Sequence, residues 1–219
     1  MAKVLIFGNG EIAEVAHIYL SHDSEHEIVG FTLDHAYRSH DYFRGLPVIT
    51  FESLQESYPP DEFELFIPIS FRDLNSHRAN KFKQAKEMGY KMISYISSKA
   101  MIMPETHIGE NCFIFENNVI QPKVSVDDNC IIWSGNHIGH HSKIGKHCFI
   151  ASHAVISGHV SIGDYTFIGV NATIRDNIDI AAKNVIGAGA TILHSTKVGE
   201  VYKGIAATKA SISSDQIKW

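Results

Sequence analysis

Residues able to do chemistry gather in two parts of the chain. Six histidines, His137, His140, His141, His147, His153 and His159, fall within one short stretch. An imidazole titrates near neutral pH, so it can move a proton or hold a metal. His141 and His159 stand 18 residues apart, as do His140 and Gly158. No carboxylate or cysteine accompanies the histidines as an outward donor, so the pattern predicts no metal site. The second gathering is Gly8-Asn9-Gly10-x-x-Ala13, which follows the apolar run Lys3–Phe7, with Asp34 ending the next apolar run. Glycines there let the backbone approach a phosphate at a helix N-terminus, and an acid at that distance can hold a ribose hydroxyl. NAD and a ligand-free tight turn compete with this reading. The short stretch of sheet, with no second mononucleotide half, favours a nucleotide or nucleotide-linked sugar.

The elements that must position these groups follow from a repeat. From Ile96 to Val198 every sixth residue is Ile or Val, with no insertion or deletion. Two positions earlier stands a mostly small residue, as in Cys112, Asn118, Val124, Cys130, Asn136, Ser142, Cys148 and Ala154. In a strand both positions point the same way, so both face inward. Six residues per side and three sides per turn give an 18-residue triangular coil, of which five to six are expected. Coils stack in parallel and bury their core only against their neighbours. An all-β, left-handed parallel β-helix of hexapeptide repeats is predicted. Cys112, Cys130 and Cys148, each 18 apart, should form one inward column. Small buried residues at the narrow core position explain them without redox or metal chemistry.

The segment before the repeat alternates strand and helix. Lys3–Phe7 reads as a strand, followed by a helix to about Ser21. Ile28–Asp34 and Glu64–Ser70 are further strands, and a charged helix runs from about Asp73 to Met88. A small parallel Rossmann-like α/β sheet of about four strands is expected. The division is residues 1–94, binding a nucleotide-linked sugar, and residues 95–219, the β-helix with a C-terminal tail.

Composition narrows the partners. The net charge of -5 disfavours nucleic acid, which wants a basic surface. No run of 18 apolar residues suits a membrane span. The N-terminus lacks the longer apolar core of a signal peptide, and the odd count of three cysteines fits a reducing compartment, so a cytoplasmic protein is expected.

A small nucleotide-type α/β unit joined to a hexapeptide β-helix resembles the family of sialic acid O-acetyltransferases and nucleotide-sugar amino-acetyltransferases of bacterial surface-glycan pathways. The resemblance spans essentially the whole chain. It is carried by Phe7-Gly8-Asn9-Gly10, Leu33-Asp34, Ile67-Pro68-Ile69-Ser70, Ile138-Gly139-His140-His141, Gly158, Gly169-Val170-Asn171, Gly187-Ala188-Gly189-Ala190-Thr191 and Gly204-Ile205-Ala206. It implies a homotrimer with its active sites between neighbouring β-helices. It implies no bound cofactor, with acetyl-CoA or another acyl-CoA as co-substrate along the later coils at Gly158, Val170 and Ala188. Gly8, Asn9, Gly10, Asp34 and Ser70 would hold the nucleotide-linked sugar. His140 occupies the family's catalytic position as general base, and a backbone N–H near Gly158 would hold the oxyanion.

Two departures matter. Where the family often has an acid after the catalytic histidine, this chain has His141, which becomes the supporting residue; Asp176 shares His140's column two coils away. An amine nucleophile, losing its proton late, tolerates that better than a hydroxyl. N-acylation of an amino-deoxysugar is therefore the expected reaction. O-acetylation of a sialic-acid-like sugar, a non-catalytic β-helical assembly module, and a nucleotide-binding regulatory or redox protein are the alternatives. The family's usual Gly-x-Pro turn reads Gly204-Ile205-Ala206 here, which alters the grip on the CoA tail.

Overall fold

The computed structural model describes residues 1–217. The chain begins with β1 (Lys3–Phe7), α1 (Glu11–His22), β2 (Glu27–Leu33), β3 (Tyr42–Phe43), β4 (Leu46–Thr50), α2 (Leu54–Ser57), β5 (Phe63–Phe66) and α3 (Ser76–Glu87). The sheet order is β3-β4-β2-β1-β5. Four strands are parallel, as the sequence predicts, but the edge strand β3 runs antiparallel to β4, so the sheet is mixed. The hairpin turns on Arg44 and Gly45, with φ of 54° and 80°. Two left-handed residues match the twist of the strands they join. A strand of two residues has no periodicity to read, which is why the sequence concealed it.

From Tyr95 onward, two-residue strands begin every six residues until Thr191–Ile192, forming three parallel sheets. Sheet I runs from Tyr95–Ile96 through Phe113–Ile114, Ile131–Ile132, Phe149–Ile150 and Phe167–Ile168 to Val185–Ile186. Sheet II starts at Met101–Ile102 and includes His137–Ile138 and Val155–Ile156. Sheet III starts at His107–Ile108 and includes Lys143–Ile144 and Ser161–Ile162. The result is a left-handed β-helix. The isoleucine column is its interior, with Ile114, Ile132, Ile150 and Ile168 fully buried. Burying each such side chain contributes about 1.5–3 kcal/mol.

Cys112, Cys130 and Cys148 are buried in one column as predicted. Asn118 and Asn136 make a second, polar column. Each accepts, through Oδ1, the backbone N–H one coil further on, that of Asn136 at 2.9 Å and of Ala154 at 2.7 Å. Buried amides are thus hydrogen-bonded along the stack.

The corners explain most of the histidines. The second turn residue of most corners takes left-handed backbone, including Asn111, Asn117, Asn129, His141, His147, His153, His159, Asn171 and Asn177. Asn and His tolerate that conformation better than most residues with a Cβ. One expectation fails at the C-terminal end. Val198 is 69% exposed, because the chain leaves the six-residue register after Ile192. The strand Val201–Tyr202 returns to pair with Val185–Ile186, and Tyr202 packs against the core in its place.

The α/β unit lies on sheet I. Phe113, Phe115, Ile131 and Phe149 form one apolar cluster with Val4, Ile6, Phe31 and Phe66. The strand expected over Glu64–Ser70 stops at Phe66. Beyond it, Asn111 of the β-helix takes over the role of a neighbouring strand. Its Oδ1 accepts the Ile67 N–H at 2.8 Å, and its Nδ2 donates to the Ile67 carbonyl at 3.1 Å. Arg78, fully buried, then pins the following residues. Its guanidinium donates to the carbonyls of Ile69, Ser70, Asn129, His147 and Cys148 at 2.9–3.1 Å. Burial pulls its pKa down to about 10, which leaves it charged at neutral pH.

Candidate functional site

His140 and His141 are the two turn residues at the corner between sheets II and III. The backbone there is fixed from the preceding coil: Gln121 Oε1 accepts the His140 N–H at 2.9 Å. The glycine one coil on makes room for the side chain. A Cβ at Gly158 would stand 2.9 Å from His140 Cε1 and 3.0 Å from Nε2, tighter than ordinary contact. The imidazole therefore lies directly over the Gly158 backbone, as their spacing of 18 predicts. The Gly158 N–H makes no hydrogen bond among the described residues and is free to donate to a ligand.

His140 Nδ1 faces His141 Nδ1 at 3.1 Å. One of two facing nitrogens must carry the proton and the other accept it. Desolvation first, then the neighbouring His159, Lys123 and His140, lower the pKa of His141, keeping it neutral and able to accept. A proton on His140 Nδ1, donated to His141, would leave Nε2 as the acceptor nitrogen of that ring. His141 is thus the group beside His140 Nδ1, whereas Asp176 is engaged elsewhere: its carboxylate accepts from Asn177 Nδ2 at 2.6 Å.

Two cavities lie on the other side of the molecule. The first, about 460 Å³, is lined by Gly8, Asn9, Gly10 and Asp34, together with Tyr37, Arg72, Asn80 and Lys81. The first four are the residues that sequence reasoning grouped. Arg72 and Lys81 were missed, because nothing in their spacing links α3 or the loop before it to the glycine loop. Both bring positive charge to the cavity, Lys81 while paired with Asp34. The second cavity, about 410 Å³, lies under Phe71 on sheet I and its corner with sheet II. Trp133, Phe149, Phe167, Val170 and Ala188 wall it, and Ser70 stands at its edge. Trp133, one of these walls, stacks on Phe115 at 4.4 Å with the planes 8° apart. Phe71 packs edge-on against Phe149 and tilted against Phe167, each at 5.0 Å.

The predicted residues therefore form three groups. Gly8, Asn9, Gly10 and Asp34 meet in the first cavity. Ser70, Val170 and Ala188 meet in the second. His140, His141 and Gly158 meet at the corner opposite sheet I, and none of them lines either cavity.

The fold and repeat have clear relatives. The model of the bacterial transferase hexapeptide family (six repeats) matches residues 105–140 and 123–158. A search of curated protein sequences finds no match. Among solved structures, the acetyltransferase domain of PglB from Neisseria gonorrhoeae superposes with a TM-score of 0.79. It is 22% identical, over 93% of this chain and 97% of that one. PerB from Caulobacter crescentus, solved in complex with CoA and GDP-perosamine, gives a TM-score of 0.80 at 21% identity, covering 93% and 95%. WeeI from Acinetobacter baumannii gives 0.77 at 18%, covering 92% and 96%. These neighbours share the whole architecture, α/β unit and β-helix together. Among the described residues no helix is long and apolar enough to cross a membrane.

Proposed function

We propose that the protein is an acetyl-CoA-dependent N-acetyltransferase acting on the amino group of a nucleotide-linked amino-deoxysugar. The observation that carries this is the seat of His140: its ring lies over Gly158 and its Nδ1 is held by His141. That arrangement offers an imidazole base beside a free N–H donor, which is what direct attack on a thioester requires. A structural neighbour carrying CoA and GDP-perosamine gives the reading its substrates.

In this reading residues 1–94 bind the sugar nucleotide and residues 95–219 form the transfer unit. The nucleotide lies on Gly8, Asn9 and Gly10, with Asp34 at its ribose. The acyl donor lies along Val170 and Ala188. The sugar amine attacks the thioester carbonyl, forming the C–N bond. His140 Nε2 takes the amine's proton, the Gly158 N–H donates to the oxyanion, and the C–S bond breaks. The departing thiolate takes the proton back from His140, leaving amide and free CoA thiol. No covalent enzyme intermediate is needed.

A homotrimer completes the site. His140 stands on the edge opposite the two cavities, so one copy's corner must meet another copy's sheet I side. Sheet II and its corners offer the contact surface, with Met101, Met103, Val155 and Leu193 all exposed.

Thiol release from acetyl-CoA is the test, using UDP-, GDP- and dTDP-linked amino sugars, with free sialic acid as a separate acceptor. Release dependent on one amino sugar is expected. Release with sialic acid alone would move the reaction to oxygen, and silence across the panel would refute the transfer. Mixing His140→Ala with Asp34→Ala subunits tests the shared site. At sugar-nucleotide concentrations below the KM of Asp34→Ala, mixed oligomers should be more active than either parent, and failure to exceed both would place both groups in one chain's site.

A further inference from the structure

The corner that carries His140 holds a third imidazole that the proposed transfer does not use. One ring nitrogen from each of His140, His141 and His159 lies within 4.8 Å of the other two. His141 and His159, at the same position of successive coils, stack with centroids 4.7 Å apart and planes at 14°. His140 stands edge-on to His159 at 5.1 Å.

The separations suit a shared cation. Two nitrogens on one tetrahedral zinc, each about 2.0–2.1 Å from it, are roughly 3.3 Å apart. The Nδ1 atoms of His140 and His141 are 3.1 Å apart. All three side chains are exposed, so rotation about χ2 can close the remaining gap to His159 against little packing. The backbone beneath them is held rigidly by the coil ladder, in which the His159 N–H donates to the His140 carbonyl at 2.9 Å. Three imidazoles with a fourth position open to solvent are a complete donor set for Zn²⁺. Among the described residues no carboxylate or thiolate stands beside the histidines as a further donor. Three imidazoles converging across two coils need neither.

We infer that His140, His141 and His159 form a binding site for a borderline divalent cation, Zn²⁺ foremost, and that filling it switches transfer off. The cation would engage the imidazole that must take up the amine's proton. The inhibitory half rests on the function proposed above; the binding half does not.

The test uses untagged, metal-stripped full-length protein titrated with ZnCl₂ in a calorimeter, with no acyl donor present. One Zn²⁺ per chain is expected. His159→Asn keeps a residue that accepts left-handed backbone. It should weaken binding by at least about tenfold, the scale on which losing a metal-site group acts. In chelator the variant should retain turnover, so that its response to Zn²⁺ is read against its own metal-free rate. At a Zn²⁺ concentration that silences the wild type, it should remain active. No binding by the wild type, or unchanged stoichiometry and affinity in His159→Asn, would overturn the site. Binding by a protein that acetylates nothing would uphold the site and refute only the transfer.

Discussion

Lys81 Nζ reaches across from α3 to pair with the carboxylate of Asp34 at the end of β2. The same ammonium lies 4.6 Å from the Phe51 ring centroid and 5.5 Å from that of Phe7. The acid that sequence pattern assigns to a ribose is thus already held in place, its oxygens presented beside a cation. In the proposed function a ribose diol would donate to the carboxylate while a phosphate accepts from the lysine, so that the pair would read two parts of one nucleotide.

Asp34→Ala should therefore weaken the sugar nucleotide in two ways, by removing an acceptor and by releasing Lys81. A charged hydrogen bond of about 1.5–3 kcal/mol corresponds to a roughly ten- to hundredfold rise in KM. The kcat should change much less. Steady-state kinetics at saturating acetyl-CoA would check this; equal KM values would place the nucleotide elsewhere.

Gly158→Ala tests the seat of the base without removing it. The backbone there is not left-handed, so alanine is tolerated locally, but its Cβ must displace the His140 ring. A displacement of this kind costs on the order of a hundredfold in kcat. The thermal melt should be nearly unchanged. Full activity in the variant would show that the ring's position over residue 158 is irrelevant.

His141→Asn keeps the left-handed corner but alters the partner of His140 Nδ1. The rate should fall by about tenfold, against the 10²–10⁴ that a whole general base supplies. The acid limb of the pH–rate profile should also move. In the wild type, falling pH protonates His141 and ends its ability to accept from His140; in the variant that contribution disappears. Superimposable profiles would deny His141 its supporting role.

His147 predicts a stability effect at a distance from the chemistry. Burial, then the Arg78 charge, pulls its pKa from 6.5 to about 4. The unfolded chain therefore binds a proton that the folded chain refuses. Stability is highest above about pH 6.5 and falls progressively towards pH 4. His147→Asn should flatten that part of a denaturation-versus-pH curve. An unaltered slope would mean that other groups carry it.

Much of this was legible because the β-helix writes its geometry into a fixed interval. The isoleucine column, the cysteine column and the pairings of His140 with Gly158 and His141 with His159 all follow from multiples of six. Two things were not legible. Arg78 and Lys81 act across separations of 47 to 70 residues, where no interval constrains them. Val198 satisfied the interval by type alone, after the backbone had already left it. The histidines show a subtler gap: their abundance invites a chemical explanation, yet left-handed corners account for His147 and His153 without one.

The unbroken six-residue register also makes the coil a ruler. Each turn of 18 residues advances the stack by about one strand spacing, 4.8 Å. The α/β unit grips the early coils through Phe113, Ile131 and Phe149, so the number of coils between that grip and a given corner sets the corner's height. His140 lies between the gripped residues Ile131 and Phe149, so duplicating one whole coil beyond Phe149 would preserve every interior contact type, leave that corner where it is and slide the Ala188 corner by a single graduation. Reach towards a longer or shorter substrate is thereby adjustable in discrete steps, independently of the residues that perform the chemistry.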